Sequence, residues 1–444
     1  MKLTAALRLS SAPRLVLVGG GGKTTAMFAL AREWPGPVIV AATAHLAIAQ
    51  AMLADRHFFV DDATSLDVQL LSGVTLFTGP FNQAGKTLGL SANALQRVLE
   101  LADQQHVPLL IEADGSKGLP LKAPAEHEPP IPDFVDNVIY VVGLSGLGNP
   151  LDGEHVHRPE RFARLSGLAP GDVVTPDAIA TVLRDPSGGL KNVPANARRV
   201  ALLNQADTPE LQAQAQVIAR PLLATFAYQA VIIAALKSQQ VFAVHEPTAG
   251  IILAAGAALR MGEATQKPLL LWRGEPFIRH VARTALGAGL SPVVIVTGAH
   301  TLEIRAVVAD LPVTVIPNSE WQAGQSTSVR CGLQALPDSI GSAIFLLADQ
   351  PQIPIELVKA LRAQHAQTLS PIVAPLIDDR RGNPVLFDRT TFVDLHALTG
   401  DVGGRAIFAQ YPLTYVPWHD ANLLLDVDTP EDYQRLRGLE DCSV

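Results

Sequence analysis

Short unbroken runs of Val, Ile and Leu, set between stretches long enough for a helix, constrain this chain more than any other feature. Leu15-Val16-Leu17-Val18, Val38-Ile39-Val40, Leu109-Leu110-Ile111, Val138-Ile139-Tyr140-Val141-Val142 and Val200-Ala201-Leu202-Leu203 lack the alternation of a strand with one wet face. A strand that is apolar on both sides must be covered on both sides, the condition of a parallel sheet between layers of helices. The pattern restarts near residue 250. Gly250-Ile251-Ile252-Leu253 enters a small-residue turn as residues 15–22 do, and further runs follow at 293–296, 313–316 and 344–347. At 444 residues the chain exceeds what one core sustains. The expectation is an α/β protein of two doubly wound, mostly parallel-sheet domains, 1–244 and 245–444, joined near 240–249. Five prolines between Pro120 and Pro132 mark a loop.

Composition excludes several classes. Hydrophobic residues make up 48% and charged residues 17%, the balance of a well-buried enzyme. A net charge of -8 argues against a general nucleic-acid binder, which needs a basic surplus. Two cysteines, Cys331 and Cys442, are too few and too far apart for a disulfide scaffold or a structural zinc site. No apolar run reaches membrane-span length, and Met1-Lys2-Leu3 opens a short amphipathic stretch rather than a signal peptide. A cytoplasmic location without membrane contact is expected; oligomeric state is not legible.

In the second half, the strand ending at Leu253 leads into Ala254-Ala255-Gly256, then Arg260, Gly262 and Lys267. Small residues let a backbone approach a base and triphosphate, while Arg260 and Lys267 offset charge that grows on a leaving pyrophosphate. The structural alternative is a tight turn with two solvated cations. Leu347-Ala348-Asp349-Gln350-Pro351 puts a carboxylate just past a buried strand, where ligands of open α/β sheets bind. Asp349 there suits Mg2+ between phosphate oxygens, or a cap on the turn before Pro351. Leu425-Asp426-Val427-Asp428 offers a second metal ligand at Asp426 or Asp428, and Thr429 with Pro430 reads as a helix start.

These motifs, with NSEWQAGQSTSVRCGL (318–333), RRGNPVLF (380–387), TGDVGGR (399–405) and LDVDTPEDY (425–433), resemble the molybdenum-cofactor nucleotidyltransferase (MobA-like) family across 250–440. The resemblance implies a Rossmann-like nucleotidyltransferase domain that binds Mg2+. Ala254-Ala255-Gly256 matches the cytidylyltransferase branch, which implies CTP as nucleotide and molybdopterin, the molybdenum cofactor, as acceptor. It further implies Asp349, Arg260 and Lys267 as catalytic residues and Leu253, Ala254, Ala255, Gly256 and Gly262 around the nucleotide. Ser326, Ser328, Arg381, Gly382 and Asn383 fall on the pterin side, with Asp349 and Asp428 as metal ligands.

The first half carries Val18-Gly19-Gly20-Gly21-Gly22-Lys23-Thr24-Thr25 between a strand and a helix, the context of a phosphate loop. Gly20, Gly21 and Gly22 would offer N–H groups, Lys23 would reach the β/γ oxygens and Thr24 would touch Mg2+. The full G-x-x-x-x-G-K-T pattern fails at Leu17, so the loop is a shortened one. Asp114 or Glu112 is the carboxylate expected opposite Thr24. Asn204-Gln205-Ala206-Asp207 is similar to a base-reading Asn-Lys-x-Asp motif, with Asn204 and Asp207 equally good as turn formers. Lys117 and Lys122 suit an anionic substrate; Glu126, His127 and Glu128 suit a metal, or a solvated loop. His155 and His157 point to one side if extended, a metal pair or surface histidines. EADGSKGLPLKAPAEHEPPIP (112–132), with VGGGGKTT and LLNQAD, resembles the selenium-dependent hydroxylase accessory (YqeC-like) family over about 10–235. That implies a P-loop-like accessory domain taking ATP or GTP, and a molybdenum hydroxylase as client. Two other functions compete for the second half: a sugar- or alditol-phosphate nucleotidyltransferase, and a non-catalytic chaperone for the molybdenum cofactor.

Overall fold

Each apolar run becomes a buried strand. The computed structural model describes residues 1–62, 66–83, 85–256 and 266–439, and its contacts divide the chain into two units, Met1–His245 and Glu246–Val444. In the first, the strands are β1 (Arg14–Gly19), β2 (Pro37–Ala42), β3 (Arg56–Phe59), β4 (Gly73–Thr78), β5 (Leu109–Glu112), β6 (Asn137–Gly143), β7 (Arg198–Asn204), β8 (Ala230–Ala235) and β9 (Gln240–His245). They form one sheet in the order β9-β8-β7-β6-β1-β5-β2-β4-β3, parallel except for β9. Helix α1 (Lys23–Glu33) starts at Gly22, whose φ of 112° only glycine adopts readily, and packs on β1, β2 and β5. β5 and β6 are buried along their whole length, as covering on both faces requires. Residues 240–245, read in sequence as part of the join, form the antiparallel edge strand β9. The Pro120–Pro132 stretch is loop apart from a two-residue strand at Leu121–Lys122.

The second unit holds β10 (Thr248–Ala254), β11 (Val293–Thr297), β12 (Thr314–Pro317), β13 (Ser342–Leu347), β14 (Ile372–Ile377), β15 (Arg380–Arg381), β16 (Val385–Asp388) and β17 (Leu413–Pro417). Their order is β12-β11-β10-β13-β16-β14-β15, with β17 beside β14. β16 runs antiparallel to both neighbours, so the sheet is mixed at that side. Pro375 stands inside β14, a position proline usually avoids. The β14 ladder passes from β16 at Val373 to β15 at Leu376, and Pro375 falls in the gap, where a missing N–H costs nothing on that side. The core of this unit gathers Ile252, Ile295, Ile344, Leu346, Val358, Leu361 and Leu386 between the sheet and helices α2 (Phe277–Gly287) and α3 (Ile355–Thr368). No helix among the described residues is long and apolar enough to cross a membrane.

Candidate functional sites in the two units

In the second unit, β10 and β13 are parallel neighbours in register at Leu253 and Leu347, so both chains leave the sheet at one edge. The Ala348 amide donates to the Leu253 carbonyl at 3.2 Å, which seats Asp349 beside the small-residue turn. Ala254 and Ala255 are buried and Gly256 is exposed there, while Arg260 and Gly262 lie outside the described residues. Asp349 keeps 26% of its side chain open, yet its Oδ1 is fully buried without a hydrogen-bond partner. Burial pushes its carboxyl up to about 6; Lys267 pulls the other way, and Asp426 and Asp428 add to the rise. The expected turn cap is not what that buried oxygen does.

Lys267 reaches the same edge from a short 3-10 turn. Its Nζ donates to Asp428 Oδ1 at 2.5 Å and lies 3.8 Å from Asp349 Oδ2. Thr429 caps the following helix, α4 (Pro430–Gly438), by accepting from the Asp432 amide at 3.2 Å, which fixes the chain just after Asp428. Asp426 is held from the other side by the Gln350 amide group at 2.5 Å, and burial raises its carboxyl as well. The lysine therefore sorts two aspartates that sequence left equivalent. Asp428, expected as the second metal ligand, is occupied by the Lys267 cation, whereas Asp426 is held only by a neutral amide and is the better placed of the two for a metal.

Hard oxygen donors beside a buried, unpartnered carboxylate oxygen fit Mg2+. This ion normally takes one or two carboxylates and completes its shell with phosphate oxygens and water. Among the described residues no three His, Cys, Asp or Glu side chains converge on a complete protein-only metal cage.

Next to this edge lies a cavity of about 240 Å³, lined by Leu253, Leu347 and Asp426 and walled by Phe345, Phe387 and Phe408. The helix Gln325–Gln334 presents Gln325 and Val329 to it. The two serines expected there are turned elsewhere. Ser326 Oγ donates to the Gly400 carbonyl at 2.6 Å, and Ser328 Oγ accepts from Asn318 Nδ2 at 3.0 Å, both buried. One step along a helix rotates a side chain by about 100°, so neighbours of cavity-facing residues face the core. Of the 381–383 string, Asn383 lines the cavity, Gly382 is buried with its amide on the Pro375 carbonyl, and exposed Arg381 lies over the Phe408 ring at 5.1 Å. Three further residues were not singled out from sequence: Gln350, Arg405 and Phe408. The signal for Arg405 was present, as a cation directly after two glycines in the string 399–405.

In the first unit the glycine loop follows β1 at the centre of the sheet. Gly20 and Gly21 do not offer their amides outward, as expected; these donate to the carbonyls of Val141 (2.9 Å) and Leu119 (3.0 Å). The amides from Gly22 to Thr25 open α1 with no protein acceptor among the described residues, so the anion site is shifted toward the helix start. Buried Lys23 folds back, donating to the Gly19 carbonyl at 2.6 Å.

Thr24 Oγ1 donates to Glu112 Oε2 at 2.9 Å, and burial raises that carboxyl. Asp114 is corrected as a metal ligand. Its oxygens accept from the Gly19 amide at 3.2–3.3 Å and from Lys122 Nζ at 2.6 Å, with Lys23 Nζ at 3.4 Å. Three donors already neutralise it, which leaves Glu112 as the carboxylate facing Thr24.

Asn204 is a clamp rather than a base reader: its Nδ2 donates to the Gly21 carbonyl at 2.8 Å and its Oδ1 accepts from the Leu236 amide at 3.0 Å. Asp207 is exposed. Lys122 is buried between Asp114 and Glu128, and Glu128 also takes both Arg158 nitrogens, so neither Lys122 nor Glu128 is a free ligand. Burial pushes the Glu128 carboxyl up, but the hydrogen bonds from Arg158 and Lys122 outweigh it and hold it at about 2. Glu126 pairs with Arg161 at 3.1 Å, and His127 and Lys117 are exposed. His155 bonds Asp152 at 2.8 Å, while burial and then Arg158, Lys122 and Lys117 depress His157 to about 4. These two imidazoles have different surroundings and form no metal cluster.

Comparison with known proteins agrees with the motif order. Residues 250–416 match the MobA-like NTP transferase domain and residues 15–160 match the YqeC protein family. YqeC of Escherichia coli is 34% identical over 197 residues, 43% of this chain and 74% of that protein. The purine catabolism protein PucB of Bacillus subtilis is 29% identical over 202 residues, 42% of this chain and 95% of PucB. The crystal structure of Rv0371c from Mycobacterium tuberculosis is similar at 27% identity and a TM-score of 0.39, over 43% of this chain and 98% of that one. The chain belongs to the YqeC family through its N-terminal part and carries a MobA-like NTP transferase domain, a nucleotidyltransferase, in its C-terminal part.

Proposed function

We propose that the C-terminal unit transfers CMP from CTP to molybdopterin and releases pyrophosphate. An oxygen of the acceptor's terminal phosphate attacks the α-phosphorus of CTP, the bond to the β-phosphate oxygen breaks, and pyrophosphate departs. The observation that carries this reading is the buried, unpartnered Oδ1 of Asp349 beside Lys267, at the edge of a cavity with aromatic walls.

Asp349 with Asp426 would hold Mg2+, which when bound neutralises phosphate oxygens. Lys267, parked on Asp428, is placed to follow the charge that builds on the leaving pyrophosphate. Arg260 and Gly262 are assigned to the triphosphate loop on motif order alone. Leu253, Ala254, Ala255 and Gly256 line the approach of the nucleotide, and the methyl of Ala255 favours a smaller pyrimidine. Asn383 and Gln325 offer amides to a flat ring with polar edges. The N-terminal unit is read as an accessory domain that takes ATP or GTP at the Gly22–Thr25 amides and Lys23. Thr24 and Glu112 are the pair suited to Mg2+ there, and a molybdenum hydroxylase is the client.

Pyrophosphate release by the full chain, with CTP, ATP and GTP crossed against molybdopterin and hexose phosphates, tests this. Turnover is expected with CTP and molybdopterin. Turnover confined to hexose phosphates favours a sugar-phosphate transferase. Molybdopterin binding without any pyrophosphate favours a chaperone.

A further inference from the structure

We propose that the turn Gly403-Gly404-Arg405 is the element that recognises the acceptor: Arg405 takes its phosphomonoester, and the glycines let the turn lie close against the cavity wall, which sets where that guanidinium stands. This rests on reading the cavity as the acceptor side of the nucleotidyl-transfer site.

The charge argument comes first. Arg405 is the one cation among the described residues that line the cavity. It is exposed, its guanidinium makes no hydrogen bond or ion pair with another described residue, and its charge favours the ionised Asp426 nearby. The other described cations near the site are engaged. Lys267 is on Asp428 at 2.5 Å, and Arg381 lies over the Phe408 ring at 5.1 Å. A phosphomonoester approaching a triphosphate brings two anions together beside three aspartates, and that approach is repulsive unless a further cation stands on the acceptor side. A guanidinium matches phosphate through two parallel N–H bonds, which also fixes its orientation.

Shape supplies an independent argument. A Cβ on Gly404 would stand 2.5 Å from Cζ of Phe387, and one on Gly403 2.7 Å from Oε1 of Gln325. Gly404 has no positive φ that would by itself require glycine, so what the residue provides is close approach of the turn to the Phe387 ring. Phe387 is buried and meets Phe345 edge-on at 5.6 Å, so the ring cannot yield easily. The turn therefore lies close against the aromatic walls and is charged at its end, a form that suits a phosphomonoester attached, directly or through a methylene, to a flat fused ring system.

The test uses the full chain and phenyl phosphate, a flat ring bearing a phosphomonoester, with inorganic phosphate alongside and affinities read by calorimetry. Arg405→Gln is expected to weaken phenyl phosphate at least about tenfold, the scale of a charge-assisted contact, with partial recovery in Arg405→Lys. Gly404→Ala is expected to weaken phenyl phosphate more than inorganic phosphate, and binding of CTP with Mg2+ should stay within about twofold in all three variants. Arg405 is exposed, so its variants carry the test even if Gly404→Ala folds poorly. Three results overturn the proposal: no saturable binding of phenyl phosphate to the unmodified protein, unchanged binding in Arg405→Gln, or an equal loss of CTP in that variant. If phenyl phosphate binding depends on Arg405 while molybdopterin gives no turnover, the turn keeps its role and the molybdopterin reading falls.

Discussion

Replacing Glu128 by Gln should expose how much the N-terminal unit depends on its buried ion network. The Glu128 carboxylate accepts from Lys122 at 2.8 Å and from two Arg158 nitrogens at 2.7 and 2.9 Å, with 14% of its side chain open. Those contacts hold its pKa at about 2 against an ordinary value of 4.5. A depressed carboxylate contributes stability that is fully present above the unfolded pKa and lost as pH falls through the folded one. A shift of that size corresponds to about 3 kcal/mol at pH 7, within the range for breaking a buried pair. By the same linkage the contribution shrinks by about 1 kcal/mol between pH 7 and pH 4. The assay is urea unfolding of the full chain, followed by pulse hydrogen exchange of the peptide covering Asn137–Gly143, which is buried in the same unit. Glu128→Gln should unfold earlier at pH 7, and the gap from the unmodified protein should narrow at pH 4. A gap below about 1 kcal/mol at pH 7, or one that widens on acidification, would refute the assignment of that energy to Glu128.

Two further substitutions probe the sites directly. Asp349 is raised to about 6 by burial, so its charge opposes folding at pH 7: the favourable state is the protonated one and is lost as pH rises through that value. Asp349→Asn should therefore stabilise the C-terminal unit by about 1–2 kcal/mol, after allowance for its partial exposure, while pyrophosphate release falls by about 100-fold or more. A destabilised yet active variant would defeat both halves of that expectation. In the N-terminal unit, Lys23→Met should weaken binding of ATP or GTP, measured with CTP saturating the other unit, by about tenfold or more. Unchanged affinity would remove the glycine loop from nucleotide binding.

The sequence by itself determined what depends on near neighbours along the chain. Buried strands at 14–19, 109–112, 137–143, 248–254 and 342–347 were legible because their apolar runs leave no face for water. The helix start at Thr429 was legible because its cap lies three residues away. Strand β8 was harder to read, since Ala-Val-Ile-Ile-Ala-Ala suits a buried helix equally well, and β14 was masked by Pro375. Tertiary structure alone decided among chemically equivalent residues. Glu112 faces Thr24 while Asp114 faces Lys122; Asp426 meets Gln350 while Asp428 meets Lys267; Gln325 and Val329 face the cavity while Ser326 and Ser328 do not. One step along the Gln325–Gln334 helix turns a side chain by about 100°, while Asp114, Asp426 and Asp428 lie outside regular elements, where spacing sets no direction. The partner that gives that direction meaning arrives from an element remote in sequence, so local pattern could name the carboxylates without choosing between them.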